Sequence, residues 1–199
     1  DLLGLLLDGG LTDAEVGDEL ATMVVAGHET VAAALTWTLM LLAEHPEVQE
    51  RVRSEVEAQT GPPSLLGHQQ SLPRTRAVVD EALRLYPPAW LITRRARETV
   101  TLSDQEFPAG TLVIISPFVL QRSPRHWPDP DVFDPERFLG RSTRHPAYLP
   151  FGDGPRLCVG RELALGEMVV VLARVLARFR VDVPPGPWLA QIVAHLDGI

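Results

Sequence analysis

The sequence contains a single cysteine, Cys158, at the end of a segment that runs from Phe151 to Gly160. Two glycines and a proline in this segment predict a rigid turn, and helical spacing resumes at Glu162, so the thiol lies just before a helix. The first amides of a helix have no internal partners and carry partial positive charge. Arg156 adds a positive charge two residues away. Such surroundings stabilise a thiolate, which suits a metal ligand or a nucleophile.

Three interpretations of this cysteine are open. A lone cysteine is most often a buried, inert side chain. A cysteine nucleophile needs a histidine base, yet none of the six histidines lies in a recognisable cysteine-protease pattern. A thiolate can also hold haem iron, where it favours cleavage of the O–O bond of dioxygen. With only one cysteine, the chain has no internal disulfide framework and no zinc site built from several thiolates.

A second candidate feature is a pair of opposite charges on one predicted helix. Glu81 and Arg84 are three residues apart, so they share a helical face and can pair. On a surface this pair would contribute little to stability. Placed near Arg137, the pair could instead form a buried charged network, which is strongly destabilised when one partner is removed.

A third feature is a polar interruption of a long apolar helix. Gly27 costs about 1 kcal/mol relative to alanine within a helix, and Glu29 and Thr30 are unusual on a face expected to be buried. A threonine hydroxyl competes for backbone carbonyls and can open a helix locally. The segment is either a satisfied polar kink or a place where a small ligand, a hydroxyl and a carboxylate meet.

The helix that carries this segment is predicted to be long and buried. Thr12 and Glu15 form a capping box with the helix starting at Asp13, and no proline follows until Pro46. From 20 to 43 the residues are apolar on nearly every face. A transmembrane span is the competing interpretation, but His28 and Glu29 lie in mid-segment and acidic residues flank its N-terminal end, which argues against one.

The remaining elements are mostly helical, with a minor β-sheet and a long connection. Prolines open two further helices and glycine or proline ends them. β-branched and apolar runs predict short strands, and the long proline-rich connection before the last helix is typical of a functional loop. The predicted elements are helices from Pro46 to Gly61, from Pro73 to before Pro87 and from Glu162 to Arg180, strands at 100–102 and 107–116, and a loop over 117–160.

Composition limits the function classes. The chain has 199 residues, of which 45% are hydrophobic and 22% charged, as in ordinary globular proteins. Eighteen basic residues against 26 acidic ones give a net charge of −8, which argues against nucleic-acid binding. Every basic residue is arginine, and lysine and asparagine are absent, which favours a GC-rich, bacterial genome. Because the chain starts at Asp1 inside an apolar segment, we expect a piece of something longer.

Taken together, the motifs resemble the cytochrome P-450 haem–thiolate monooxygenases, in the order in which that family carries them. The segment ending at Cys158 resembles the haem-binding loop, and three more motifs extend the resemblance over nearly the whole chain. These are Ala26-Gly27-His28-Glu29-Thr30, similar to the oxygen-binding helix segment, Glu81-Ala82-Leu83-Arg84, similar to the Glu-x-x-Arg pair, and Phe133-Asp134-Pro135-Glu136-Arg137-Phe138, similar to the loop that completes that pair.

The resemblance implies a fold and a set of site residues. The fold is mainly α with a minor β-sheet, and residues 1–199 correspond to the C-terminal portion of the family's domain without its N-terminal half. Cys158 is the axial ligand of haem b iron, Thr30 and Glu29 deliver protons during dioxygen activation, and Glu81, Arg84 and Arg137 form a structural network. The other haem-contacting or oxygen-groove positions are Arg156, Arg94 (less securely, because Arg95 is adjacent), Phe151, Gly152, Gly160, Ala26 and Gly27.

The resemblance also implies partners and location. The expected reaction inserts one atom of dioxygen into an apolar small-molecule substrate, with electrons from a separate ferredoxin or flavodoxin, since no flavin or iron–sulfur motif occurs. The Pro87-Pro88-Ala89-Trp90 turn and the Pro-Glu-Arg-Phe motif resemble those of members that act on fatty acids or terpenes. We expect a cytoplasmic protein with no membrane span. A non-catalytic truncated remnant and a peroxide-driven enzyme of the same fold are the alternatives, and the acid–alcohol pair Glu29–Thr30 favours the oxygen-activating type.

Overall fold

The computed structural model describes residues 2–59, 71–140 and 145–183. Helix α1 (Leu2–Asp8) leads into the long helix α2 (Asp13–Glu44). The predicted capping box starts α2: the Thr12 hydroxyl accepts a hydrogen bond from the Glu15 amide, and the Glu15 carboxylate accepts one from the Thr12 amide. Because two amides of the helix start are satisfied in this way, α2 begins where the sequence predicts.

Two further helices follow, α3 (Pro46–Glu57) and α4 (Pro73–Leu85), each with proline in its first turn. The start of α4 has no cap from its own N-terminal neighbour. Instead the Glu55 carboxylate of α3 accepts hydrogen bonds from the backbone amides of Arg74 and Thr75 at 2.7 and 2.8 Å, and from the Thr75 hydroxyl at 2.7 Å. One helix therefore caps another. The predicted end of α3 at Gly61 lies outside the described residues.

Four short strands form two antiparallel pairs: β1 (Ile92–Arg95), β2 (Val100–Leu102), β3 (Gln105–Phe107) and β4 (Leu112–Ile115). Strand β1 pairs with β4, and β2 pairs with β3. The predicted short strands are confirmed in outline: β2 spans 100–102, and the predicted segment 107–116 is divided after Phe107, which ends β3 and pairs with Val100, before β4 begins at Leu112. Ser103 and Asp104 make the intervening turn with φ of 48° and 66°, a conformation that glycine or asparagine usually signals.

The long connection after β4 contains little regular structure. It holds the short helix α5 (Pro117–Leu120) and two 3₁₀ turns, Pro135–Arg137 and Gly154–Arg156, before the last described helix, α6 (Arg161–Leu176). Helix α6 ends earlier than the predicted Arg180. The predicted architecture, mainly α with a minor sheet, is confirmed for the described residues.

Helix α4 is the centre of the core. It packs against α2, α3 and α6, and its residues from Ala77 to Leu85 are all buried. At its C-terminal end the ring of Tyr86 stacks on Trp37 of α2, with centroids 4.0 Å apart. Apolar burial on this scale is the main favourable contribution to folding, so α4 and its neighbours form the rigid base on which the long connection lies.

The N-terminal half of α2 is exposed, which corrects the prediction that the whole apolar segment is buried. Val24 and Val25 are 68% and 74% exposed, whereas Val31, Ala34, Leu41 and Leu42 are buried. Apolar composition predicts that a helix needs cover, but it does not say which part of a chain supplies the cover. Among the described helices, α2 is long and apolar enough to cross a membrane, by length and composition alone. In this structure its C-terminal half packs in the core.

Candidate active site

The loop that carries Cys158 is held by backbone hydrogen bonds at both ends. The Cys158 amide donates to the Phe151 carbonyl at 3.0 Å, and the Arg161 amide, at the start of α6, donates to the Cys158 carbonyl at 3.3 Å. Gly160 is the N-cap residue of α6. The thiol is exposed and belongs to no disulfide. The structure therefore holds an exposed cysteine in a fixed loop directly before a helix, the position that the sequence predicts.

Two glycines give this loop its shape. Gly152 and Gly154 have φ of 73° and 67°, the left-handed region that side chains rarely adopt. A Cβ added at Gly152 would lie 3.7 Å from the Arg156 carbonyl oxygen and 3.9 Å from Cδ1 of Ile92, which is ordinary contact. Backbone conformation rather than crowding thus requires glycine here. The contact with Ile92 also places the loop against strand β1.

Glu81 and Arg84 form a buried bidentate ion pair. Arg84 Nε donates to one Glu81 carboxylate oxygen at 2.7 Å, and Arg84 NH2 donates to the other at 2.8 Å. Both side chains are 0% exposed. Arg137 Nε lies 3.4 Å from Glu81, and the Asp134 amide donates to the same carboxylate at 2.9 Å. Burial raises the pKa of Glu81, and the hydrogen bonds and charge of Arg84 oppose that rise.

The Arg84 guanidinium also fixes the distant connection. Its NH1 donates to the carbonyls of Gln121 and Pro130 at 2.8 and 2.7 Å, and its NH2 donates to the Val132 carbonyl at 3.2 Å. Arg137 NH2 donates to the Asp129 carbonyl at 2.8 Å. The three predicted network residues therefore meet, and they use their spare donors to hold the irregular backbone of the long connection.

Gln121 is a site-supporting residue that the sequence analysis missed. It is fully buried, and its side-chain amide donates to the carbonyls of Leu83 and Arg84 at 3.1 and 2.9 Å. Its oxygen accepts from the Leu149 amide at 2.7 Å. It thus connects the end of α4 to the segment that leads to Cys158. Only its position directly after an apolar helical turn hinted at burial.

The polar segment of α2, from Ala26 to Thr30, is exposed as a whole. The Thr30 hydroxyl donates to the Ala26 carbonyl at 2.7 Å, as expected for a threonine that competes for backbone acceptors. Helix α2 continues from Asp13 to Glu44, so this bond to the backbone does not end the helix. Since its proton is used on the backbone, the Thr30 oxygen offers only lone pairs to its surroundings.

Two adjacent arginines at the end of β1 have different neighbours. Arg95 NH1 donates to the Gly110 carbonyl at 2.9 Å, in the turn before β4, whereas Arg94 NH1 donates only to the carbonyl of Thr93 at 2.8 Å. Alternate residues of a strand share a face. Arg94 therefore lies on the face of Ile92, which meets the Cys158 loop, and Arg95 lies on the other.

A cluster of aromatic and histidine rings lies on the chain before the Cys158 loop. The His145 ring packs on Trp127 with centroids 4.5 Å apart and has His126 at 6.2 Å. His145 Nδ1 accepts from the Ala147 amide at 3.1 Å, so this nitrogen is unprotonated. Burial and the nearby His126 lower the pKa of His145. In the described ranges no group of three or more His, Cys, Asp or Glu side chains could hold a metal ion.

The sequence is similar to known proteins. The family model for cytochrome P450 matches residues 2–191. Cyclooctat-9-en-7-ol 5-monooxygenase of Streptomyces melanosporofaciens is 40% identical over 200 residues, which is 95% of this chain and 44% of that protein. Cytochrome P450 4A10 of Rattus norvegicus is 40% identical over 173 residues, which is 85% of this chain and 34% of that protein.

A solved structure agrees with these relatives. CYP175A1 from Thermus thermophilus superposes with a TM-score of 0.68 and 45% sequence identity, over 81% of this chain and 37% of that chain. The chain spans less than half the length of the curated relatives it matches. Because the family model covers nearly the whole sequence and the fold agrees with a solved member, the chain belongs to the cytochrome P450 family.

Proposed function

We propose that this chain is the haem-binding and oxygen-activating part of a haem–thiolate monooxygenase. The reaction inserts one atom of dioxygen into an apolar organic substrate and reduces the other to water. The observation that carries the proposal is the exposed thiol of Cys158, fixed before α6 in a chain of the cytochrome P450 family.

The residues present fit a thiolate-ligated haem b. Cysteine sulfur is an established haem ligand, and the Cys158 loop is held rigidly by its own backbone and by two left-handed glycines. Beside Cys158 the loop exposes two apolar side chains, Leu157 at 42% and Val159 at 97%. An exposed apolar surface of this kind is suited to covering by a large flat apolar group.

We assign roles around that group by side-chain chemistry. Cys158 would hold the haem iron, and Phe151, Gly152 and Gly160 belong to the loop that supports it. Arg156 and Arg94 would pair with the acidic groups of the porphyrin, for which charge-assisted hydrogen bonds are strong. Among the described residues neither arginine pairs with a carboxylate of this chain. A thiolate-ligated haem, when bound, supplies the cleavage of the O–O bond of dioxygen.

Thr30 and Glu29 are assigned to proton delivery. Both are exposed on α2, and Ala26 and Gly27 beside them have small side chains that leave room for a diatomic ligand. The Thr30 hydroxyl donates to the Ala26 carbonyl, so it can accept a proton or a hydrogen bond at its lone pairs. Passing its own proton outward requires the hydroxyl to rotate away from Ala26. A positioned proton donor contributes about 10²–10⁴-fold in rate.

The Glu81–Arg84–Arg137 network is assigned a positioning role. Its donors hold backbone carbonyls between Gln121 and Val132, and Gln121 in turn holds the Leu149 amide. The network therefore supports the route of the chain from α4 to Cys158 without touching the reacting atoms.

The substrate class and partners extend the proposal. Relatives from Streptomyces are named for oxygenation of pentalenene and of cyclooctat-9-en-7-ol, which supports an apolar substrate. A separate ferredoxin or flavodoxin supplies the electrons. Together with the absence of lysine and asparagine from the chain, the Streptomyces relatives support a bacterial source.

The test uses the full-length enzyme that contains this chain. The wild type should bind haem, its reduced carbon monoxide complex should absorb at the position typical of thiolate ligation, and Cys158→Ser should lose that absorption. Product should form with NADPH and redox partners. A Cys158→Ser variant that kept the thiolate spectrum would overturn the ligand assignment. Product formed with peroxide alone would identify a peroxide-driven enzyme, and a protein without haem would identify a non-catalytic remnant.

A further inference from the structure

A second buried cluster joins α4 to the segment that carries Cys158. Asp80, next to Glu81 in the sequence, accepts a hydrogen bond from the Tyr148 hydroxyl at Oδ1 over 3.0 Å and from Arg76 Nε at Oδ2 over 2.8 Å. The Tyr148 hydroxyl also lies 3.1 Å from the Asp80 carbonyl oxygen. We call Asp80, Arg76 and Tyr148 the Asp80 cluster. Asp80 is only 3% exposed, and both of its carboxylate oxygens accept hydrogen bonds.

The two adjacent acids on α4 serve different parts of the chain. Neighbouring positions on an α-helix point about 100° apart, given 3.6 residues per turn. Glu81 faces Arg84, Arg137 and the amide of Asp134. Asp80 faces Tyr148, which lies 68 residues further along the chain. Helix α4 thus holds the 129–137 segment from one side and the segment leading to the thiol from the other.

The route from the Asp80 cluster to the thiol is short. Tyr148 lies three residues before Phe151, and the Phe151 carbonyl accepts the hydrogen bond of the Cys158 amide. The intervening Leu149 amide is itself fixed by Gln121. Tyr148 is therefore the point at which a side chain of the loop segment is anchored to α4, and a shift there moves the backbone that orients Cys158.

Charge supports the same arrangement from the far side of the loop. Two arginines, Arg76 and Arg161, carry positive charge that favours the Asp80 carboxylate. Burial raises the pKa of Asp80 and of Tyr148, and both arginines oppose that rise. Arg161 also donates its backbone amide to the Cys158 carbonyl, and its Nε lies 3.6 Å from the Glu162 carboxylate.

We propose that Asp80 and Tyr148 are positioning residues for Cys158: by anchoring the loop segment to α4 they hold the sulfur in the orientation that keeps haem bound through a thiolate. The haem part of this inference rests on the proposed function. The anchoring part concerns this chain alone.

The test compares Tyr148→Phe with Asp80→Asn and a matched control, Tyr86→Phe, in the full-length protein. Tyr148→Phe removes one hydroxyl and leaves the ring packed on Phe138, 5.0 Å away between centroids. Tyr86→Phe makes the same change at a tyrosine that stacks on Trp37, outside the cluster. Hydrogen exchange of peptides covering residues 145–160, measured with haem removed, should be faster in Tyr148→Phe and unchanged in Tyr86→Phe.

The haem readouts are release of haem to apomyoglobin and the thiolate-ligated fraction of the reduced carbon monoxide complex. Hydrogen bonds to charged groups are strong enough that losing one can change an equilibrium by about tenfold, so we expect haem release about tenfold faster in Tyr148→Phe, with a smaller thiolate fraction. Because Asp80 and Tyr148 share one hydrogen bond, the effects of Asp80→Asn and Tyr148→Phe on haem release should be less than additive in the double variant.

The outcomes separate the two proposals. A wild type without haem would refute the proposed function, and hydrogen exchange would still decide the anchoring. Exchange over 145–160 in Tyr148→Phe equal to that of Tyr86→Phe would overturn the anchoring. A lower unfolding midpoint with an unchanged thiolate fraction and haem release would show that Tyr148 is only a packing residue. If Asp80→Asn failed to fold, Tyr148→Phe alone would decide.

Discussion

Replacing Arg84 by alanine should remove most of the support of the long connection. The substitution deletes a side chain that is 0% exposed and that forms two hydrogen bonds to Glu81 and three to backbone carbonyls. Glu81 would remain buried, with only the Asp134 amide and Arg137 to compensate its charge.

The expected magnitude follows from this accounting of partners. Breaking a buried ion pair by removing one partner costs about 3–5 kcal/mol, and each carbonyl that stays buried without a donor adds about 1–3 kcal/mol. The stability of a typical protein is about 5–15 kcal/mol. Arg84→Ala should therefore bring the protein close to unfolding. Arg84→Lys keeps the charge but loses the planar fork, so we expect a smaller loss.

Two quantities are measured on the full-length protein: the free energy of unfolding in urea, and the haem content per chain. The matched control is Arg74→Ala on the same helix. Arg74 pairs with Glu136 at 3.0 Å, but the two side chains are 41% and 53% exposed, so its loss should cost about 0–1 kcal/mol. The backbone amide of residue 74 keeps its hydrogen bond to Glu55 in this variant.

One result would refute the reasoning. If Arg84→Ala and Arg74→Ala lowered the free energy of unfolding equally and both retained full haem content, the Arg84 pair would contribute no more than a surface ion pair. If Arg84→Ala could not be purified, Arg84→Lys would decide. Because lysine lacks the planar guanidinium that binds both Glu81 oxygens, the Arg84→Lys protein should unfold at a lower urea concentration than the Arg74→Ala protein.

Three further predictions concern other parts of the chain. Thr30→Ala in the full-length enzyme should keep haem and fold but consume NADPH with release of peroxide; an unchanged ratio of product to NADPH would make Thr30 a helix-packing residue. Glu55→Gln should lower stability by about 1–2 kcal/mol, as expected for a lost helix cap, whereas Glu57→Gln, at an exposed ion pair with Arg53, should change it little. For His145 the folded-state pKa is below the ordinary value of 6.5, so its contribution to stability is present above pH 6.5 and is lost as pH falls through the lower folded pKa. His145→Gln should therefore reduce the loss of stability that unfolding experiments measure between about pH 7 and pH 5. An unchanged dependence of stability on pH would contradict this prediction.

The starts of helices were the most predictable part of the fold. The capping box at Thr12 and the prolines at 46 and 73 fix where α2, α3 and α4 begin, because these signals act within one turn of chain. The short strands over 100–116 were predictable in outline, but the start of β3 at Gln105 was not, since Ser103 and Asp104 make the tight turn without glycine or asparagine.

Partners that are distant in the sequence were the least predictable part of the site. Spacing alone allowed Glu81 and Arg84 to pair, because three residues along a helix determine their proximity. Nothing local predicted that Gln121 would bind Leu83 and Arg84, or that Asp80 would meet Tyr148, 68 residues away. Helical periodicity shows which face of α4 is buried but not which segment covers it. The exposed half of α2 was mispredicted for the same reason.

The reach of Arg84 sets an order of events during protein synthesis. Its carbonyl partners at Pro130 and Val132 lie 46 and 48 residues further along the chain. At about 5–20 residues per second, the ribosome needs roughly 2–10 s to make that stretch. During that interval the Arg84 guanidinium can pair only with Glu81 and water, so this face of α4 stays exposed to solvent. A nascent chain paused between residues 84 and 130 should therefore be open to proteases and chaperones at α4, and it should close once Val132 has emerged.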